Sequence, residues 1–374
     1  MKKNYISALA VLACVAVFCT ISGNSFHQMR TATEEIIPGE GVTEVRMLSD
    51  YFPDLAGTAG DTQIYVLQGE QEGGSCLILG GTHANELGGH MGAVLFVENA
   101  KVEAGTLYVI PRTNNSAFTH NDPQEGHPST VHITTDEGNV REFIHGSRAT
   151  NPVDQWPDPD VYVNYMGQSL SGSENRNINR TYPGKADGTL TEMMSYGIVQ
   201  LINTENIDVT VDLHEASPEY PVINALIAHE RAMNLASNVV VDMQMEGVQI
   251  SLEPSPTDLR GLTHRELGDH TDTLAILMEA PNPAQGRLRD RTDEALVLTG
   301  KSETYVKAGE IGQLYVPYDE NGWPIEVRCA RHVFGIERIL ANYSEMYEEP
   351  IIVTGMPSYD ELVKNGMGPY LNEP

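Results

Sequence analysis

Cysteine is scarce in this chain, with four in 374 residues. Cys14 and Cys19 fall in an apolar run near the N-terminus, which leaves only Cys76 and Cys329 in the body. A disulfide scaffold is excluded, and two buried unpaired thiols are favoured over a bridge. Basic residues are few as well: Lys and Arg total 23 against 52 Asp and Glu, a net charge of −29. A surface this acidic repels phosphate backbones and anionic lipid, so no nucleic-acid partner is expected. Several common catalytic signatures are missing. His214-Glu215 and His229-Glu230 each lack the second histidine of HExxH, Gly167-Gln168-Ser169 does not complete a nucleophile elbow, and there is neither a P-loop nor a GxGxxG. What remains is ordinary in bulk: 40% apolar and 20% charged residues, enough chain for one large domain or two small ones with a sizeable core.

Only one long hydrophobic run is present. Residues 6–21 carry no charge, follow Lys2 and Lys3, and lead into Ser-Gly-Asn. This is the three-part pattern of an export signal. The run is long for a cleaved signal and slightly short for the ~20 residues that span a bilayer. Cleaved signal and retained anchor therefore both stand, and either places the body outside the cytoplasmic membrane. Without Lys2 and Lys3 the body carries 21 basic and 52 acidic residues, a net of −31.

Short apolar runs at 62–68, 75–80, 106–111, 208–213, 222–228 and 273–278 read as strands, several of them covered on both faces. Helical periodicity appears at 87–99, 192–203 and 331–343. Strands alternating with helices predict an α/β layered domain. Residues 113–178 are polar and hold five prolines, among them Pro123, and four histidines: His120, His127, His132 and His145. A stretch this long is expected to wrap the surface and frame a site.

The chemistry concentrates where strands end. In LILGGTHANELGGH, two glycines follow the strand and His83 and Glu86 sit three apart as a helix begins, which predicts one shared helical face. An imidazole and a carboxylate so placed can grip one Zn²⁺, and a catalytic zinc needs a third protein ligand. VTVDLHEA offers His214 directly after an apolar strand, the end at which α/β sheets place ligands. Asp212 and Glu215 are candidates to fix the imidazole. A hydrolytic zinc also calls for a carboxylate that is not a ligand, to accept a proton and return it to the leaving amine. Glu279 in TLAILMEAPNP has that setting. Glu215 is its rival, but strand alternation turns Glu215 away from His214. SENRNINRTYPG supplies Arg180 and Asn179 for a substrate carboxylate and Arg176 for an oxyanion. Each of these residues also has a plainer reading: a polar helix start, a strand-capping histidine, a solvated turn.

GGTHANELGG, NINRTYPG, VDLHEA and LMEAPNP, in that order, resemble the zinc carboxypeptidase superfamily, and most of all its succinylglutamate desuccinylase/aspartoacylase branch. The resemblance covers roughly residues 60–345. It implies an α/β fold with a mixed, mostly parallel central sheet of about eight strands between helices, and one Zn²⁺ per chain. His83, Glu86 and His214 match the family's ligands, Asn179 and Arg180 its carboxylate-binding pair, and Glu279 its general base. The family commonly has Asp-Leu before Asn-Arg, where this chain has Asn177-Ile178, and its oxyanion arginine has no secure match beyond Arg176. The expected layout is a signal or anchor at 1–24, a lead-in at 25–60, a zinc hydrolase domain at 61–345 and a tail at 346–374. The expected activity is zinc-dependent hydrolysis of an amide bond next to a carboxylate, as in N-acyl amino acid deacylases. An exported metallocarboxypeptidase acting on peptides or cell-wall fragments is the alternative, and a non-catalytic metal- or ligand-binding module is the alternative of another class. The expected partner is a small carboxylate-bearing substrate or a peptide C-terminus, with a membrane contact at the N-terminus if the anchor is retained.

Overall fold

The computed structural model describes residues 2–121 and 128–374; Pro123 and His127 lie outside the described residues. One sheet organises the body. Its strands run in the order Glu44–Met47, Gln63–Gln68, Lys101–Ile110, Gln71–Leu79, Val209–Ala216, Leu274–Pro281, Ala225–Ala228 and Ser251–Pro254. A ninth strand, Ile352–Thr354, pairs with the 101–110 strand. The four central strands, from 101–110 to 274–281, are mutually parallel. Antiparallel pairs flank them, and the outermost 251–254 strand is again parallel to its neighbour. The sheet is thus mixed, with a parallel centre, and the α/β expectation holds.

The apolar runs follow from burial on both faces. In the 71–79 strand Cys76 and Ile78 enter one core while Leu77 and Leu79 enter another. The larger core lies under the helices Leu87–Asn99, Met233–Met245 and Ile325–Tyr347. The smaller holds the helix Leu190–Glu205 together with Leu48 and Leu55. A strand with two covered faces has no polar positions to alternate, so its sequence is nearly continuous in apolar residues. Cys76 and Cys329 are buried and unpaired.

The segments on either side of the expected domain are built into it. Leu48 and Leu55, from the lead-in, are fully buried. Glu34 is buried against His90 at 2.6 Å and accepts the Ile144 N–H. At the other end Leu362, Met367 and Leu371 join the larger core. The described part of 113–178 is structured too, with hairpins 130–144 and 161–171. At the N-terminus the helix Lys2–Thr31 includes a 28-residue segment, Asn4–Thr31, that is long and apolar enough to cross a membrane, with an 18-residue window of mean hydropathy 2.3. Its last turn touches the body through Arg30 and Asp154 at 3.0 Å.

Candidate metal centre and active site

The approach of the 87–99 helix to the 209–216 strand brings the site together. Gly81 turns the chain after the 71–79 strand at φ +59°, a conformation that a side chain disfavours. Residues 82–86 then form a turn closed by the Glu86 N–H to the His83 carbonyl at 3.0 Å. The helix starts only at Leu87, so His83 and Glu86 meet across this turn rather than along a helical face. Glu86 occupies the N-cap position without capping, because its carboxylate faces the site. Gly88 and Gly89 let the helix press onto the strand: a Cβ at Gly89 would lie 2.9 Å from the Leu213 carbonyl carbon and closer still to its oxygen.

His83, Glu86 and His214 are almost fully buried, and their ligand atoms lie within 4.8 Å of one another. The His83 Nδ1 is 2.6 Å from Glu86 Oε1, and the His214 Nδ1 is 2.9 Å from Glu86 Oε2. The far nitrogens are held from behind. His83 Nε2 meets the Asn177 Oδ1 at 2.9 Å, and the Asn177 Nδ2 donates to Glu174, which fixes the amide and makes His83 Nε2 the donor. His214 Nε2 meets Asp212 Oδ2 at 2.8 Å, and Asp212 in turn accepts from the Thr82 hydroxyl. Two imidazoles tied this way present their Nδ1 lone pairs to a common point beside a carboxylate, a donor set that fits zinc. Burial brings the His83 imidazole down to about 4, with the Arg148 charge adding to it. Against the burial that would lower it, Asp212 and Glu86 hold His214 well above its usual value. His83, Glu86 and His214 could hold a metal cation, which would take the place of that proton beside the carboxylates.

Period-2 alternation sorts the 209–216 strand. Val209, Val211 and Leu213 point into the larger core, so Asp212 and His214 point to the opposite face. Glu215 points away from the cleft, into a fully buried ion pair with Arg328 at 2.9 Å, and accepts from the Asn282 amide. Only its backbone N–H reaches the His83–Glu86–His214 cluster, donating to Glu86 at 2.9 Å. Glu279 is the register partner of His214 on the next strand and shares its face. Burial pushes the Glu279 carboxyl up to about 8, with the neighbouring Glu86 and Asp212 charges adding to it against His214 and Arg148. Its Oε2 is buried with no hydrogen-bond partner among the described residues, as suits a group that serves a ligand.

These groups line a cleft of about 390 Å³ that also takes in Asn179, Arg180 and Arg148. Asn179 uses its Oδ1 to accept from the Thr263 N–H and hydroxyl, which leaves its amide nitrogen for a ligand. Arg180 bonds the Asn179 carbonyl at 2.6 Å and stands 3.8 Å from Glu174. Arg176 is not brought to the cleft. Its guanidinium is held by Asp158 at 2.7 Å and by the Thr150 carbonyl, an anchor for the surrounding loop. Arg148 stands at the His83–Glu86 pair instead, 3.6 Å from Glu86 Oε1 and 3.4 Å from His83 Nδ1, with its side chain 41% exposed. Sequence reasoning missed Arg148, and the only signal was its place in the long polar stretch. Asn177, noted there only as a departure from the family pattern, is the residue that orients His83.

No family model matches the chain, and no curated protein matches it. Solved structures similar to it include a succinylglutamate desuccinylase from Silicibacter sp. TM1040, at 14% identity over 84% of this chain and 72% of that one, TM-score 0.44. Another is a metallo-carboxypeptidase from Burkholderia cenocepacia, at 11% identity over 86% and 68%, TM-score 0.45. A third is an aspartoacylase family protein from Mesorhizobium loti, at 16% identity over 70% and 72%, TM-score 0.35.

Proposed function

We propose that this chain is a zinc-dependent hydrolase of an amide bond adjacent to a carboxylate, with N-acyl amino acids as its substrate class. The observation that carries the reading is one buried cluster: two back-bonded imidazoles facing Glu86, with the unpartnered Glu279 carboxyl beside them. His83, Glu86 and His214 would hold the metal, which when bound supplies a Lewis acid that polarises a carbonyl and acidifies water. Glu279 takes a proton from the attacking water and passes it to the departing nitrogen, a task suited to a carboxyl that burial has made more basic. Arg148 is the guanidinium assigned to the developing oxyanion, and Arg180 with Asn179 receives the substrate carboxylate. The apolar N-terminal helix favours an exported enzyme, which supports peptide C-termini as the second substrate class.

Metal analysis of the purified protein should find one zinc per chain, lost in His83→Ala and His214→Ala. Full zinc in both variants would remove the assignment. A screen of N-acyl amino acids against short peptides with free and amidated C-termini then separates the substrate classes. Glu279→Gln should keep zinc and lose on the order of 10²–10⁴ in turnover. A binding module would show no turnover to lose.

A further inference from the structure

The cleft extends along the sheet beyond the groups used above. Ala225 stands opposite Glu279, Ile227 opposite Leu277, and Glu253 beside Ile227. Laterally paired side chains share a face, and i, i+2 neighbours share it too. Glu279, Leu277, Ile227 and Glu253 therefore project from one face, the one that carries His214. Ile227 and Leu277 belong with Ala225 and Val222 to an apolar cluster separate from both main cores. Leu259 and Leu262 are also in the cleft wall. At the end of this apolar strip is Glu253, half-buried and, among the described residues, with no hydrogen-bond or ion-pair partner. The neighbouring carboxylates have work already: Glu86 faces the imidazoles, Glu279 is the proposed base, and Glu215 turns away from the cleft to Arg328.

We propose that Glu253 ends a subsite for an aliphatic chain terminated by an ammonium, so that the residue released by hydrolysis is a basic or diamino acid such as lysine or ornithine. The inference rests on the amide-hydrolase reading and specifies its substrate. Two strand spacings of ~4.8 Å and two residues of ~3.3 Å rise put the Glu253 and Glu279 backbones about 12 Å apart. In a lysine-type residue seven bonds separate the scissile carbonyl carbon from the terminal nitrogen, roughly 9 Å when extended. A hydrogen bond of about 3 Å to a carboxylate completes the span. The methylenes of such a chain cover Leu277 and Ile227, and the ammonium meets the Glu253 carboxylate. The opposite charges of Arg180 and Glu253 thus suit the two ends of one zwitterionic residue.

The test uses zinc-loaded full-length protein and three matched pairs of ligands. Nα-acyl-lysine and Nα-acyl-norleucine, as acetyl and succinyl derivatives, differ within each pair by the terminal ammonium. Free L-lysine and L-norleucine are titrated calorimetrically as a readout that needs no turnover. The expected result is a kcat/KM at least about tenfold higher for the lysine substrate, with lysine binding about tenfold tighter than norleucine. Glu253→Gln should bring both ratios close to one, and no buried partner is lost in making it. Ratios near one in the unmodified protein, or preserved in Glu253→Gln, overturn the proposal. If no acyl amino acid is hydrolysed yet lysine binds through Glu253, the hydrolase reading fails and the subsite stands. If neither the lysine substrate nor free lysine is preferred, the subsite is rejected whatever the turnover.

Discussion

Replacing Gly89 with alanine should damage the metal centre without touching a ligand. A Cβ at Gly89 would lie 2.9 Å from the Leu213 carbonyl carbon and 3.0 Å from the Leu213 Cβ. Carbon atoms in contact prefer ~3.5–4.0 Å, so the 87–99 helix must retreat from the 209–216 strand by about 0.5–1 Å. Glu86 is the residue at the head of that helix, and His214 follows Leu213 on that strand. The retreat therefore opens the distance between two of the proposed ligands directly. Metal sites tolerate about 0.2 Å in ligand distance, so a shift several times larger should lower zinc affinity by about 10–100-fold. The same overpacking should cost about 1–3 kcal/mol of stability. Gly92→Ala, three residues further along the same helix, is the control. Its Cβ would meet the His332 Cβ at 3.4 Å and the Leu213 Cδ1 at 3.6 Å, ordinary contacts. That variant should bind zinc normally and be unchanged or more stable, because alanine favours a helix over glycine by ~1 kcal/mol. Zinc titration against a competing chelator, with thermal melts of the apo proteins, decides the matter. Equal zinc affinity and equal Tm for the two variants would refute the idea that close helix–strand packing sets the ligand geometry.

Arg180→Ala should reduce kcat/KM on carboxylate substrates by about 2–5 kcal/mol in free-energy terms and spare their amidated counterparts. Arg180→Lys should recover only part of the loss, since an ammonium lacks the planar fork; an equal fall on both substrate types would reject the role. Asp212→Asn leaves the shape in place but removes the charge behind His214, and zinc affinity measured by chelator competition should drop about 10–100-fold. Arg328→Met strands the Glu215 carboxylate in a fully buried position and should cost about 3–5 kcal/mol in denaturant unfolding, most of it returned by adding Glu215→Gln. A single variant as stable as the double would contradict that account.

The sequence by itself located the central elements and the strand ends. The runs at 75–80, 208–213 and 273–278 were legible because the parallel centre of the sheet is buried on both faces. His83, Glu86, His214 and Glu279 were legible because each lies at or just after such a run. Alternation along 209–216 also directed Glu215 away from the cleft, where it meets Arg328. Tertiary structure decided the rest, because the deciding contacts join residues far apart in the chain. The strands 44–47, 251–254 and 352–354 are only three or four residues long and exist through pairing with distant partners. The placement of the arginines is of the same kind. Asp158 holds Arg176 outside the cleft while Arg148 stands at the ligands, and neither outcome has a local signature. Glu253 was unreadable for the same reason: one carboxylate among 52 acidic residues, it enters the cleft only because strand register sets it beside Ile227.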